Sequence, residues 1–158
     1  MGADNRRADR DMSDRSADPE LDAWGFAFPG PLRDELTALA LDGAKTTTAG
    51  LFAEYEADGD VVSVPGAREV LLDSDERPVA IIETVESRIV RLADVDDQHA
   101  IDEGEGYADA AAFRVAHERF WNAYIDDLRT RIGPGFTIDD DTLVVLQRFR
   151  VVERLDPD

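Results

Sequence analysis

The sequence predicts an α+β fold, a small and mostly antiparallel sheet or barrel flanked by helices. Three observations carry this. The apolar pattern runs helix, several strands, helices, strand, which excludes regular βαβ alternation. The period changes from strand-like to helical at about Val95. The 158 residues contain no internal repeat and fit one domain, long enough to bury a core without disulfides or a structural metal.

Residues 1–18, "MGADNRRADRDMSDRSAD", mix charges with almost nothing apolar and predict a disordered tail ahead of a domain over 19–156. "WGFAF" supplies early aromatics. Pro31 suits a first helical position, Leu32, Leu36, Leu39 and Ala40 recur at helical spacing, and Gly43 suits the stop. "LFAEYEADGD" holds a further helical turn ended by Gly59. Short β-branched runs follow: "VVSV", "REVLLD" after the turn "PG", and "PVAIIETVESRIVRL" after Pro78. "VDDQHAIDEGEG" predicts a short helix closed by glycines. "ADAAAFRVAHERFWNAYIDDLRTRIG" predicts the longest helix, with Phe113, Ala116, Phe120, Tyr124 and Leu128 on one face. Gly133, Pro134 and Gly135 end it, and "TLVVLQRFRVV" reads as the closing strand.

Composition excludes several functions. There is no cysteine, so disulfides, thiolate metal sites and cysteine nucleophiles are ruled out. His99 and His117 are the only histidines and show no zinc-binding spacing. No apolar run matches a membrane span or a signal peptide, and a soluble, cytoplasmic protein is expected. Asp plus Glu total 36 against 17 Lys plus Arg, a formal net charge of −19. The acidic residues are spread along the chain. They point either to a surface adapted to a salty cytoplasm or to a strongly basic partner. At about 1 M salt the Debye length is only ~3 Å, so self-repulsion is screened. Such a charge opposes nonspecific binding to nucleic-acid phosphates, and any nucleotide recognition would rest on a pocket.

Within "LDGAKTTTAG" stands Lys45, the only lysine of the chain. "DELTALALDGAKTTTAG", "PVAIIETVE", "LADVDDQHAIDEGEG", "FRVAHERFW" and a closing strand rich in valine and phenylalanine occur in that order. This order resembles the ASCH domain family from about Trp24 to Val152. The resemblance implies a PUA-like fold, a small β-barrel with flanking helices, and action on RNA or modified nucleosides. Smaller bacterial members include amidohydrolases that remove the acetyl group from N4-acetylcytidine. Other members are associated with RNA cleavage, and some are binding modules. The family's Lys-x-x-Thr motif falls on Lys45 and Thr48, and its downstream glutamate on Glu103. The Glu-Gly stretch from Glu103 to Gly106 brings Glu105 in as a substrate-binding candidate. A Trp-Arg-x-x-His motif is matched by Arg114 and His117, with Phe113 in place of tryptophan. Asp109 stands where a small hydroxyl residue is usual, and Phe26, Ala27 and Phe28 where Phe-Gly-Asp is usual. No cofactor or metal is implied, the ligand would be a nucleoside or RNA, and the oligomeric state is open.

The chemistry sets its own conditions. A threonine hydroxyl attacks only when a base takes its proton. Lysine serves as that base only when neutral, and arginine cannot. A carboxylate close by favours the ammonium. Three arrangements are therefore open. Lys45 is the base, with Glu103 relaying a proton to the leaving amine. Or Lys45 stays charged and stabilises an oxyanion or phosphate, with Glu103 as the base. Or the two form a buried pair that only fixes the fold. Lys45 and Thr48 cooperate only if the chain turns between them, because residues three apart in a regular strand point to opposite faces. Otherwise Thr47 takes the role, or the lysine acts alone. Trp24, Phe26 and Phe28 could stack on a base or lie in the core. Arg114 could reach a ligand or pair with Glu118, and His117 could line a pocket or sit hydrogen-bonded at the core edge. The alternatives to an amidohydrolase are a non-catalytic RNA- or nucleotide-binding module and a single-strand ribonuclease.

Overall fold

Residues 21–155 are described by a computed structural model, so the expected tail over 1–18 lies outside the described residues. Strand β1 (Ala23–Trp24) leads into helix α1 (Pro31–Asp42). Pro31 opens α1, and Gly43 ends it at φ 90°, donating its N–H to the Ala40 carbonyl. Strand β2 (Thr47–Leu51) runs straight into helix α2 (Phe52–Asp58), and β3 (Arg68–Leu72) and β4 (Pro78–Arg91) form a hairpin. Helices α3 (Asp97–Asp102), α4 (Ala110–Asn122) and α5 (Ile125–Ile132) precede the last strand, β5 (Leu143–Arg154).

The five strands lie in the order β1-β3-β4-β5-β2. The β1–β3 pair is parallel and the rest are antiparallel, as the sequence predicts. The sheet does not close, because β1 and β2 end it on opposite sides. Two cores result. Trp24, Phe26, Leu36, Ala40, Leu71, Ile82 and Phe149 form one, under α1. Ala49, Leu51, Phe113, Trp121, Leu128, Val144 and Leu146 form the other, under α4 and α5. Strand β5 feeds both, with Phe149 on one face and Val144 and Leu146 on the other, as strand alternation requires.

Two expected elements differ. "VVSV" forms no strand, and Val61 and Val64 are exposed. Its β-branched residues have strand propensity but no edge to pair with, because β1 already occupies the free side of β3. The long helix breaks at Ala123 and Tyr124 into α4 and α5. Tyr124 leaves helical geometry at φ −124°, and its hydroxyl donates to Glu54 on α2. Arg131 holds the same carboxylate at 2.8 Å, which ties α5 to α2. The buried face of α4 is Phe113, as predicted, with His117 and Trp121 in place of the half-buried Ala116 and Phe120.

Candidate functional site

Lys45 sits in the irregular segment between α1 and β2, where three backbone hydrogen bonds fix the chain. Its own N–H donates to Leu39 at the end of α1, the Thr46 N–H donates to Asp102 at the end of α3, and the Thr46 carbonyl accepts from Phe149 on β5. The lysine thus stands where both cores and α3 meet, 1% exposed. Its Nζ lies 5.4 Å from the centre of the Phe26 ring.

Glu103 follows α3 directly. Asp96 caps that helix by accepting from the His99 N–H, and Gly104 turns the chain away at φ 71°. The turn passes hard against Ala44: a Cβ on Gly104 would come within 2.6 Å of the Ala44 carbonyl carbon. Only glycine permits this approach, and it presses the Glu103–Glu105 segment onto the Lys45 segment.

The Lys45 Nζ donates to the Thr47 carbonyl at 2.8 Å, the Glu103 carbonyl at 3.4 Å and Glu105 Oε2 at 3.0 Å. It lies 3.5 Å from Glu103 Oε1. Every neighbour is an acceptor. Three donated bonds use the three N–H groups of an ammonium, and a neutral amine would face these oxygens with a lone pair. This acceptor pattern matches the donors of a lysine ammonium. One ammonium faces two carboxylates, so the cluster keeps an excess of negative charge.

Glu103 is fully buried and receives His99 Nε2 on Oε2 at 2.8 Å. Burial pushes its carboxyl up, but the Lys45 ammonium, with the His99 hydrogen bond, outweighs this and holds it well below the usual carboxylate range. His117 is also fully buried, stacked on Phe113 at 3.8 Å between ring centres, and its Nε2 lies 3.6 Å from Glu103 Oε1. Burial lowers its pKa from 6.5 to about 4, although Glu103 and Glu105 and the Phe113 carbonyl oppose the shift, so the ring is neutral at pH 7. Tyr107 donates to Glu105 Oε1 at 3.3 Å, and burial followed by Glu105 raises its phenol pKa.

A pH prediction follows from His117. Its folded pKa is depressed, so the unfolded chain binds a proton first on acidification. The stabilisation is complete above pH 6.5 and is lost as the pH falls towards 4. At about 1.4 kcal/mol per unit the loss approaches about 3 kcal/mol. The two unfolding free energies, of the wild type and of His117→Asn, should converge over that interval in urea titrations. A constant gap from pH 7 to 4.5 would contradict it.

The threonines separate along β2. Thr47 donates its hydroxyl to the His99 carbonyl at 3.0 Å. Thr48 pairs with Gln147 across the strands and shares the opposite face with it. Its Oγ1 is buried and has no hydrogen-bond partner. Because β2 begins only at Thr47, the strand rule does not govern the relation of Lys45 to Thr48.

Other sequence candidates fall elsewhere. Trp24 is fully buried in the first core. Phe28 is half-exposed and packs on Phe120 and Tyr124 near the α4–α5 break. Arg114 binds Glu118 at 3.2 Å and also Asp140. Asp109 is the N-cap of α4, accepting from the Ala112 N–H at 2.9 Å, so the aspartate does what a serine or threonine does there. The carbonyls of Phe26 and Ala27 accept from the buried Arg33 side chain, which fixes the altered loop. A cavity of about 230 Å³ beside Phe52, Phe136 and Thr142 contains none of the Lys45 cluster. Two members of that cluster were not singled out from sequence for it, His99 and Tyr107. The four-residue step from His99 to Glu103 on a helix was the available signal for the first.

No group of side chains among the described residues could hold a metal ion, and none of their helices is long and apolar enough to cross a membrane. The ASCH domain model matches residues 22–153. No curated protein matches the chain. Among solved structures, a protein of family DUF984 from Enterococcus faecalis is similar at 25% identity and TM-score 0.72, over 84% of this chain and 77% of that one. An ASCH domain from Lactobacillus crispatus is similar at 27% identity and TM-score 0.70, over 83% of this chain and 79% of that one. The fold is the PUA-like α+β type, and the chain belongs to the ASCH domain family.

Proposed function

We propose that the protein is an amidohydrolase of an acylated nucleoside such as N4-acetylcytidine, with the Lys45–Glu103–Glu105 cluster as its catalytic centre. The observation that carries this is Thr48: a buried hydroxyl without a partner, one residue beyond the carbonyl that holds the Lys45 ammonium. In this reading Thr48 Oγ attacks the acyl carbon. An uncharged ligand that closes over the cluster removes water and disfavours separated charges, which moves a proton from Lys45 to Glu105. The neutral lysine then takes the Thr48 proton, Glu103 relays a proton to the leaving nitrogen as the C–N bond breaks, and water, giving its proton to the same lysine, releases the acyl group from Thr48 as the free acid.

The negative excess of the cluster supports a neutral nucleoside over a phosphate-bearing strand. So does the pairing of the β4 arginines with acids: Arg88 with Asp96 at 2.9 Å, Arg91 with Asp141 at 3.0 Å. Thr48→Ala removes no hydrogen bond and should fold. It should lower kcat/KM for N4-acetylcytidine at least about a thousandfold, as loss of a nucleophile does. The assay is release of cytidine in molar potassium chloride. Turnover by Thr48→Ala within tenfold of wild type would remove Thr48 from the mechanism.

A further inference from the structure

Glu103 and His117 present an unmatched pair of atoms. His117 Nδ1 lies 2.9 Å from the Phe113 carbonyl. A carbonyl only accepts, so Nδ1 carries the hydrogen, and in the neutral ring Nε2 carries the lone pair. That lone pair faces Glu103 Oε1 at 3.6 Å, too far for a hydrogen bond. Both side chains are fully buried, and neither atom has a hydrogen-bond partner, although Oε1 also lies 3.5 Å from the Lys45 ammonium. Two buried acceptors facing each other are costly, and a donor seated between them relieves both. Hydrogen bonds of about 2.9 Å to each atom close a triangle on a 3.6 Å base, which suits an amino group or one shared N–H. The Glu103 carboxylate cannot turn away to satisfy itself, because His99 holds its other oxygen at 2.8 Å.

We propose that Glu103 Oε1 and His117 Nε2 together bind an N–H of the ligand, so that the site takes a base with an amino or secondary amide nitrogen at that position and rejects one with a carbonyl or a fully substituted nitrogen. This rests on the nucleoside reading above and adds its specificity. His117 is a specificity-determining residue in it, and Glu103 has a recognition role independent of any proton transfer. A site built to accept a hydrogen bond discriminates strongly, because a ligand without the donor leaves both acceptors buried and unpaired.

Isothermal titration of the wild-type protein in molar potassium chloride tests this with four ligands: cytidine, N4-methylcytidine, N4,N4-dimethylcytidine and uridine. Cytidine and N4-methylcytidine each retain an N–H and should bind at least tenfold more tightly than the other two. In His117→Phe, which keeps the stacked ring and loses the lone pair, the preference should fall to threefold or less. Uridine or the dimethyl compound binding as tightly as cytidine would overturn the proposal, as would an unchanged preference in a folded His117→Phe. The series with wild type stands if that variant does not fold. Turnover of N4-acetylcytidine without discrimination among the four ends this inference and leaves the amidohydrolase reading. Discrimination without turnover does the reverse, and no binding of any of the four ends this inference, while turnover alone decides the amidohydrolase reading.

Discussion

Lys45→Met should lower the unfolding free energy by about 3–5 kcal/mol, the cost of leaving buried charges unpaired. Glu103 is fully buried, and Glu105 nearly so beside the same nitrogen. Methionine fills much of the space but removes the cation that both carboxylates face. For a domain of this size the melting temperature should fall by about 2–4 °C for each kcal/mol. The sign with pH is informative. The unpaired Glu103 carboxyl protonates more readily in the variant, so the deficit should shrink as the pH falls from 7 to 5. Lys45→Met with Glu103→Gln should recover part of it, because the pair is removed together. Chemical unfolding at two pH values, in molar salt, reads all three effects. A deficit below about 1 kcal/mol at pH 7 would show that the cluster is hydrated and the ion pairs weak. The expected loss is also why activity is better tested at Thr48 than at Lys45.

Gly104→Ala should be the most damaging single methyl addition in the site. The left-handed backbone costs an alanine about 1–2 kcal/mol. The added carbon would also overlap the Ala44 carbonyl and come within 2.9 Å of the Lys45 Cα. Backbone cannot swing aside as a side chain can, so the two segments must part. We expect a total cost of about 3 kcal/mol or more, together with loss of amide hydrolysis as Lys45 leaves Glu103 and Glu105. Gly106→Ala is the control. Its φ is also positive, at 93°, but its Cβ would meet open space. It should cost only the conformational term and keep most activity. Equal effects from the two substitutions would mean that backbone strain, not the approach to Ala44, decides the outcome.

Much of this was legible in the sequence, and the omissions have physical causes. Pro31 and Gly43 mark α1 because each does locally what the helix end needs. Lys45 and Glu103 could be paired through the family's motifs, although 58 residues separate them. The partner at 3.0 Å, Glu105, was assigned to ligand rather than to lysine, because spacing does not say which of two nearby glutamates turns inward. "VVSV" failed as a strand for lack of an edge, which no local propensity reports. The break at Tyr124 has no proline or glycine; it depends on Glu54 and Arg131, far from it in sequence. Asp109 looked like a departure at the pocket and is a helix cap, where aspartate and serine are equivalent. His117 was read mainly as a core-edge histidine. It is buried as that reading requires, yet its Nε2 faces a carboxylate that carries no hydrogen.

The chain holds a single ε-amine, and that amine is shut inside. An acylating reagent can modify Lys45 only in moments when the segment around it opens. Labelling followed by mass spectrometry, with peptide mapping to set aside the α-amine, therefore times that opening at one known atom. The protein carries its own clock for the breathing of this buried cluster. A ligand that seals the cluster should slow the clock, and Gly104→Ala should make it run fast.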